Sequence, residues 1–341
     1  MVARAAVGID LGTTNTVVAW ASLDDRVPAA ARVVELPQLV ARGEVEGRPL
    51  LPSMLYAPLE NEGVEDPFGD APWVLGEYAR RRGGEVAGRL VASSKSWLVH
   101  PGVDRTAPIL PWGCDDEALH LSPVEAAARL LAHVRHVWDA QHPDALLSEQ
   151  DVVLTVPASF DEVARELTLR AAREAGLSPK LLEEPQAAFY DWMARAGEAG
   201  LASLLASTGG EALVLVVDVG GGTTDLSLVR VTGVDRVERV AVGPHLLLGG
   251  DNMDLALAHV VEPRLVADAK LDPGRFGQLV AACRAAKEAL LGASPPDDAP
   301  VTLTGAGAQL VGSTRTTRVT RDEVERVVLE GFLPVVSAEA R

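Results

Sequence analysis

Val7–Trp20 reads VGIDLGTTNTVVAW, and Leu215–Val229 reads LVVDVGGGTTDLSLV. Each stretch passes from apolar residues through one Asp and one apolar residue to glycine, a Thr-Thr pair, and apolar residues again. The pattern predicts strand, tight turn, strand, a hairpin with its polar chemistry at the tip. Glycine lets a backbone come close to a phosphate, and successive turn N–H groups form a nest for an anion. Two such hairpins in one chain imply a polyphosphate gripped from opposite sides, in a cleft between two related lobes.

Outward from these hairpins, strands alternate with helices, which makes the chain α/β. Residues 31–36 (ARVVEL) read as a third strand after the first hairpin. Residues 37–121 are irregular and rich in Pro, Gly and charge, with a short strand at Ser53–Ala57 and helices at Gly76–Gly83 and around Ala92–Val99. Ser122 and Pro123 open a helix over roughly 123–140. DVVLTVP, from Asp151 to Pro157, reads as a buried strand closed by proline. Asp161 caps the helix ELTLRAAREAGL, which stops at Gly176. KLLEEP reads as a strand, and QAAFYDWMARAG as a helix. GEAGLASLLASTGGE, 197–211, reads as a small-residue connection between lobes. The second hairpin fills about 212–241, followed by helices at 251–267 and 276–291, strands near 300–312 and 315–320, and a last helix from Thr320.

A chain of 341 residues has room for two domains with proper cores. Hydrophobic residues make up 48% and aromatics only 4%, so Ala, Val and Leu must fill those cores. The net charge is −17 and no block of Lys and Arg stands out, which argues against nucleic acid and anionic membranes as partners. A phosphate ligand in so acidic a protein needs local lysine, backbone N–H groups or a cation. The two cysteines, Cys114 and Cys283, stand in no metal spacing and read as reduced, buried residues of a cytoplasmic protein. No run approaches 18 apolar residues, so no membrane span is expected. The N-terminus enters a strand almost at once, leaving no room for a signal peptide. His133, His136 and Asp139 have helical metal spacing, but they read as part of a surface helix rather than a metal site. No G-x-x-x-x-G-K-[ST] and no nucleophile elbow occur.

The order GIDLGTTN, LPSMLY, VVLTVPASFDEVAR, LLEEPQAAFYDW, VVDVGGGTTDLSLV, LLLGGDNMD, AACRAAKEAL resembles the ATPase domain of the DnaK-type heat-shock chaperones, the heat shock protein 70 family, within the actin-like ATPase superfamily. The resemblance runs from Ala5 to about Thr320. It implies an actin-like (ribonuclease H-like) α/β fold with two lobes around a nucleotide cleft. The implied division is lobe I at 1–205, with core 1–36 and 122–205 and an insertion at 37–121. Lobe II is 206–341, with core 211–247 and 317–341 and an upper part at 248–316. The family's later glycine-rich adenosine loop, G-G-x-x-R-x-P, is absent before Arg341, as are the linker and the peptide-binding domain. The expectation is therefore a fragment with an incomplete second lobe, exposed apolar surface and weak nucleotide binding.

Phosphoryl transfer needs positioning, neutralised phosphates and a held water. Asp10 and Asp218 stand at equivalent places in the two hairpins, where a carboxylate can hold Mg2+ through its waters. Gly12, Thr13, Thr14 and Asn15 on one tip, and Gly220, Gly221, Gly222, Thr223 and Thr224 on the other, offer N–H and hydroxyl donors. A third adjacent glycine exceeds what chain reversal requires and argues for a ligand close to the backbone. Asp225 fits either a role in holding that loop or an ordinary turn.

The resemblance assigns Glu184 to orienting the attacking water and Lys95 to the γ-phosphate, with Asp218 and Thr223 beside them as catalytic residues. An ammonium at that phosphate can contribute about 3–4 kcal/mol to the barrier. Glu184 alone also suits the first turn of a helix, and Lys95 alone a solvated surface, so the resemblance decides both. Glu183 reads as structural. Pro157 and Arg165 match a family pair that relays nucleotide state, and equally fit a strand-ending proline and an exposed helix arginine. Gly249 and Gly250 open the upper part of lobe II, and Lys287 matches a position that packs on the nucleoside. Arg284 and Glu288 reverse the family's charges on either side of it.

The resemblance further implies ATP/ADP with Mg2+, and K+ as an additional cation, slow hydrolysis that switches a downstream peptide-binding domain, client polypeptides, co-chaperones and nucleotide-exchange factors. Competing readings are a filament-forming or sugar-kinase member of the actin superfamily, against which VPASFDEVAR and EEPQAA speak, and a nucleotide-binding pseudo-enzyme, which the altered adenosine residues motivate.

Overall fold

The computed structural model describes residues 3–23, 30–69, 71–86, 88–100, 102–111, 114, 116, 119–233, 236–244, 246–266, 270–303, 314–337 and 339. The chain forms two compact units, Met1–Arg80 with Arg89–Leu247, and Arg81–Gly88 with Leu248–Arg341.

In the first unit the opening hairpin is β1 (Ala5–Leu11) and β2 (Asn15–Ser22), paired antiparallel with Asp10 opposite Val17. Val7, Ile9 and Leu11 alternate inward and are buried, each contributing about 1.5–3 kcal/mol of apolar burial. The short strand β3 (Arg32–Val33) extends β2. The predicted strand at 31–36 therefore ends early, and Leu36 instead opens a hairpin of its own, β4 (Leu36–Ala41) with β5 (Glu44–Arg48). Gly43 turns that hairpin at φ +72°, a reversal with no strong turn dipeptide to announce it. The strand predicted at Ser53–Ala57 divides in two. β6 (Leu51–Pro52) pairs with β2, while β7 (Leu55–Tyr56) pairs with β8 (Val74–Leu75) and β9 (Leu90–Val91). Helix α1 spans Glu77–Gly83 and α2 is the single turn Ser94–Trp97.

Helix α3 (Pro123–Gln141) starts in a capping box, with Ser122 Oγ accepting from Glu125 N and Ser122 N donating to Glu125 Oε2. It is a core helix rather than the surface helix expected from sequence, because the apolar residues of 37–121 cover its outer side. Leu51, Leu55, Leu75 and Leu98 share one buried cluster with Leu130, Leu131 and Val134. His133 is fully buried and its Nε2 donates to Pro37 O at 3.1 Å. His136 Nδ1 bonds Phe68 O and Asp139 Oδ1 accepts from Leu147 N, so these side chains serve packing.

β10 (Asp151–Val156) lies parallel to β1, and β11 (Lys180–Glu183) parallel to β10, giving the order β11-β10-β1-β2-β3. Between them runs α4 (Glu162–Glu174), capped by Asp161 Oδ1 from Ala164 N at 2.7 Å and followed by Gly176 at φ +78°. Helix α5 covers Glu184–Ser207 and breaks at Gly197, whose φ of 64° and ψ of −174° are open to glycine. The stretch 197–211 is thus a second helical segment for most of its length, not a loose connection. Its Leu201 packs with Phe189 against Ala212, Val229 and Val231. Small residues had hidden this apolar stripe.

The second hairpin belongs to a three-stranded antiparallel sheet of β12 (Ala212–Val219), β13 (Thr224–Gly233) and β14 (Arg236–Val242), in the order β12-β13-β14. One face is packed by α5. On the other, Leu213, Leu215, Val217 and Val219 of β12 are 47–59% exposed.

The second unit contains α6 (Gly250–Val266), α7 (Pro273–Leu290), the antiparallel pair β15 (Asp298–Leu303) and β16 (Arg315–Thr320), and α8 (Arg321–Glu325), continued by a wider-wound turn to Glu330. Leu257, Val261, Leu279, Leu290, Val301 and Val319 form its core. Cys283 is buried there and its thiol is pushed up to about 12, first by burial and then by Asp254, so it is an inert packing residue. Cys114 is half-exposed rather than buried. The strand expected to reach 312 has its distal part outside the described residues. Among the described residues no helix is long and apolar enough to cross a membrane.

Candidate functional site

Both hairpin tips are four-residue turns, 12–15 and 220–223, closed by the same backbone bond. Gly12 N donates to Asn15 O at 3.1 Å, and Gly220 N donates to Thr223 O at 2.8 Å. Strand register makes Asp10, opposite Val17, the counterpart of Asp218, opposite Asp225. The two Thr-Thr pairs are therefore not equivalent. Thr13 and Thr14 lie in the first turn and correspond to Gly221 and Gly222, whereas Thr223 corresponds to Asn15 and Thr224 already opens β13.

The tips border a single cleft of about 620 Å³, all of whose lining residues belong to the first unit. Asp10, Gly12, Thr13, Thr14, Asn15, Lys95, Glu184, Asp218, Gly220, Gly221 and Thr223 line it. Pro157, Phe160, Ala187, Ala188, Val216 and Val217 supply apolar wall. A cleft of this size suits a small-molecule ligand.

Gly222 is not part of the lining. A Cβ there would sit 2.8 Å from Ser96 Oγ and 3.2 Å from Thr13 Cγ2. The third glycine is thus demanded by the protein's own side chains, where α2 and the first tip press on the second tip. This packing gives the third glycine a reason beside the ligand approach expected from the sequence. Thr224 is also outside the lining, its N donating to Leu246 O. Gly249, Gly250 and Lys287 lie in the second unit. There Asp254, 1% exposed, meets Arg284 Nε at 2.7 Å and Lys287 Nζ at 2.6 Å, while Asp251 also pairs with Arg284. The Lys287 contact is ionic with poor bonding angles, and its hydrogen bond goes to Gly250 O at 3.2 Å.

Three carboxylates and one ammonium define the electrostatics of the cleft. Lys95, from α2, places Nζ 2.6 Å from Glu184 Oε1, with side-chain exposures of 11% and 16%. Pro185 helps start α5 at Glu184, fixing that carboxylate at a strand-to-helix turn. Burial raises the Glu184 carboxyl above its ordinary range; Lys95 opposes this, and the charges of Asp10 and Asp218 add to it. Asp218 is raised as well, first by burial and then by Asp225, with Lys95 opposing and Asp10 adding. Asp10, Asp218 and Glu184 line one space, and like charges there disfavour one another's ionised forms. Thr155 Oγ1 donates to Asp10 Oδ1 at 3.0 Å, leaving the second oxygen of Asp10 unengaged by that bond.

Such a donor set favours a cation. Among the described residues no three acidic, His or Cys groups converge closely enough to hold a metal directly. Spaced carboxylates of this kind suit a cation that keeps most of its waters.

Sequence reasoning missed Thr155, Ser96 and Arg239. Thr155 carried a signal, as the polar residue of DVVLTVP in a strand beside the Asp10 strand. Arg239 carried none, because its partner Glu183 is 56 residues away.

Paired Asp-tipped hairpins on α/β sheets, sharing a cleft with a buried Lys–Glu pair, define an actin-like ATPase fold. The Hsp70 protein family model matches residues 107–336, and the chain belongs to the Hsp70 family. A chaperone protein HscA homolog of Pseudomonas aeruginosa strain PAO1 is 36% identical over 304 residues, covering 84% of this chain and 42% of its own length. The HscA homolog of Burkholderia lata is 36% identical over 313 residues, 90% of this chain and 45% of its own. That of Pseudomonas fluorescens is 34% identical over 306 residues, 85% and 43%. The chain thus spans under half the length of these relatives.

Proposed function

We propose that the first unit's cleft binds Mg-ATP and hydrolyses it slowly, as the nucleotide-binding part of a DnaK-like chaperone. The observation that carries this reading is the cleft itself, where the Asp10 and Asp218 tips and the Lys95–Glu184 pair line one space. Tip N–H groups and the hydroxyls of Thr13, Thr14 and Thr223 bind phosphate oxygens. Magnesium, when bound, neutralises phosphate charge, and Asp10 and Asp218 would hold its waters. Lys95 turns from Glu184 to the terminal phosphate, and Glu184 is then released to orient the attacking water. The resemblance alone assigns Gly249, Gly250 and Lys287 to the adenosine, and Arg284 and Glu288 are the altered residues on either side of Lys287 in the sequence.

On this reading the lobes divide near residue 205, K+ accompanies Mg2+, and the protein works in the cytoplasm. Turnover switches a peptide-binding domain that receives client polypeptides, with co-chaperones and exchange factors acting on the cycle. Single-turnover hydrolysis by the intact protein tests it. Lys95→Ala and Glu184→Ala should each slow the step by about 100-fold. Wild-type rates in both variants would refute the assignments.

A further inference from the structure

Glu183 closes β11 and immediately precedes Glu184. Both its oxygens are engaged. Oε1 accepts from Arg165 Nη2 at 2.7 Å, and Oε2 accepts from Arg239 Nη1 at 2.6 Å. Arg165 stands on α4 and Arg239 on β14, the outer strand of the three-stranded sheet. Arg165 Nε also donates to Phe160 O at 3.2 Å, and Arg239 Nη1 reaches Ala158 O at 3.4 Å. The knot therefore joins the strand end that presents Glu184, the loop after β10, and the sheet whose tip carries Asp218.

No strand of the six-stranded sheet pairs with a strand of the three-stranded sheet among the described residues. α5 packs on the second sheet through Phe189 and Leu201. An ion pair is directional where apolar packing is not, and a carboxylate gripped on both oxygens has little freedom. With exposures of 15%, 28% and 35% for Glu183, Arg165 and Arg239, the knot is shielded more than an ordinary surface pair. β14 is hydrogen-bonded to β13, and β13 to β12, so a pull on Arg239 is passed to the Asp218 tip.

We propose that Glu183 and Arg239 are positioning residues for the cleft: their bond fixes how the Asp218 tip stands relative to Asp10 and Glu184. The proposal rests on the nucleotide reading, since that spacing matters only if one ligand bridges both tips. It gives Glu183 a task that its neighbour Glu184 depends on, and it makes Arg239, which touches no ligand, part of the site.

The test uses Arg239→Gln, Glu183→Gln and Arg239→Lys in the intact protein, with circular dichroism confirming the fold. Spin labels on unnatural amino acids at the exposed positions 174 and 213 report the spacing of α4 and β12. Arg239→Gln and Glu183→Gln should broaden that distance distribution. They should also slow single-turnover ATP hydrolysis by roughly 10- to 100-fold. Arg239→Lys, which can keep one contact, should recover most of both. A wild-type distribution or a wild-type rate in Arg239→Gln overturns the proposal. Absence of calorimetric ATP binding by the unmutated protein instead overturns the nucleotide reading, and the distances still decide whether the tie holds the sheets.

Discussion

The ammonium of Lys95 lies 2.6 Å from the carboxylate of Glu184, although 89 residues separate them in the chain. Each is the other's counterion in a largely buried setting, and each is the group the resemblance places at the terminal phosphate. A ligand that draws Lys95 away leaves Glu184 without its counterion beside Asp10 and Asp218, both of which push its carboxyl up. The pair is thus a resting arrangement whose opening requires compensating negative charge, which a triphosphate carries.

Lys95→Ala removes that counterion. Glu184 is already raised by burial, and Lys95 is the first influence opposing the rise, so its carboxyl should move further up. A carboxyl-resolved NMR titration should show the higher midpoint in Lys95→Ala. An unchanged midpoint would mean that the two groups do not interact in solution.

Asp218→Asn should stabilise the fold while abolishing function. The folded carboxyl of Asp218 is raised above its unfolded value, so the folded state holds its proton more tightly. Ionisation therefore costs stability. The cost is absent below the ordinary aspartate range and fully present above the raised value. Thermal unfolding of wild type and Asp218→Asn should match near pH 3 and diverge as pH rises. At neutral pH the variant should melt about 2 °C higher, the modest size reflecting partial solvent screening. A variant less stable at neutral pH would contradict the repulsion described.

Gly222→Ala should push the tips apart, because the new methyl group would meet Ser96 Oγ at 2.8 Å and Thr13 Cγ2 at 3.2 Å. ATP affinity should fall about tenfold, the scale of a few-tenths-ångström to one-ångström misplacement. Adding Ser96→Ala removes the nearer atom and should restore much of the loss. Equal affinities for the single and double variants, measured by calorimetry, would show that Ser96 does not crowd the tip.

Asp254→Ala should destabilise the second unit by about 3–5 kcal/mol, since Arg284 and Lys287 would lose a partner that is 1% exposed. Denaturant unfolding followed by hydrogen exchange in α6 and α7 measures this. A change below 1 kcal/mol would place the cluster's charges in water.

Much of the site was legible because its chemistry is local. Asp10 with its Gly-Thr tip, Asp218 with its triple glycine, and Glu184 beside Pro185 all announce themselves within a few residues. The strands that hold them follow from alternation, and Ser122 and Asp161 mark helix starts by their capping chemistry. Relationships that depend on register or on distant packing were not legible. The Thr-Thr pairs look equivalent in sequence, yet strand pairing sets Thr13 and Thr14 against Gly221 and Gly222. The helix after Gly197 is written in Ala, Gly and Ser, whose weak periodicity conceals Leu201. His133 reads as a surface residue until the segment around Pro37 folds over it. Glu183 looked structural because Arg239 reaches it only across two sheets.

The most direct test is calorimetric titration of Mg-ATP into the intact protein and into its Asp10→Asn/Asp218→Asn double variant. One nucleotide per chain with at least tenfold weaker binding in the double variant is the expected result, in keeping with the loss of two charged holds on one bridged ligand. Equal affinity in the two proteins, or no binding by the unmutated one, would contradict a nucleotide held between the two aspartate-tipped hairpins.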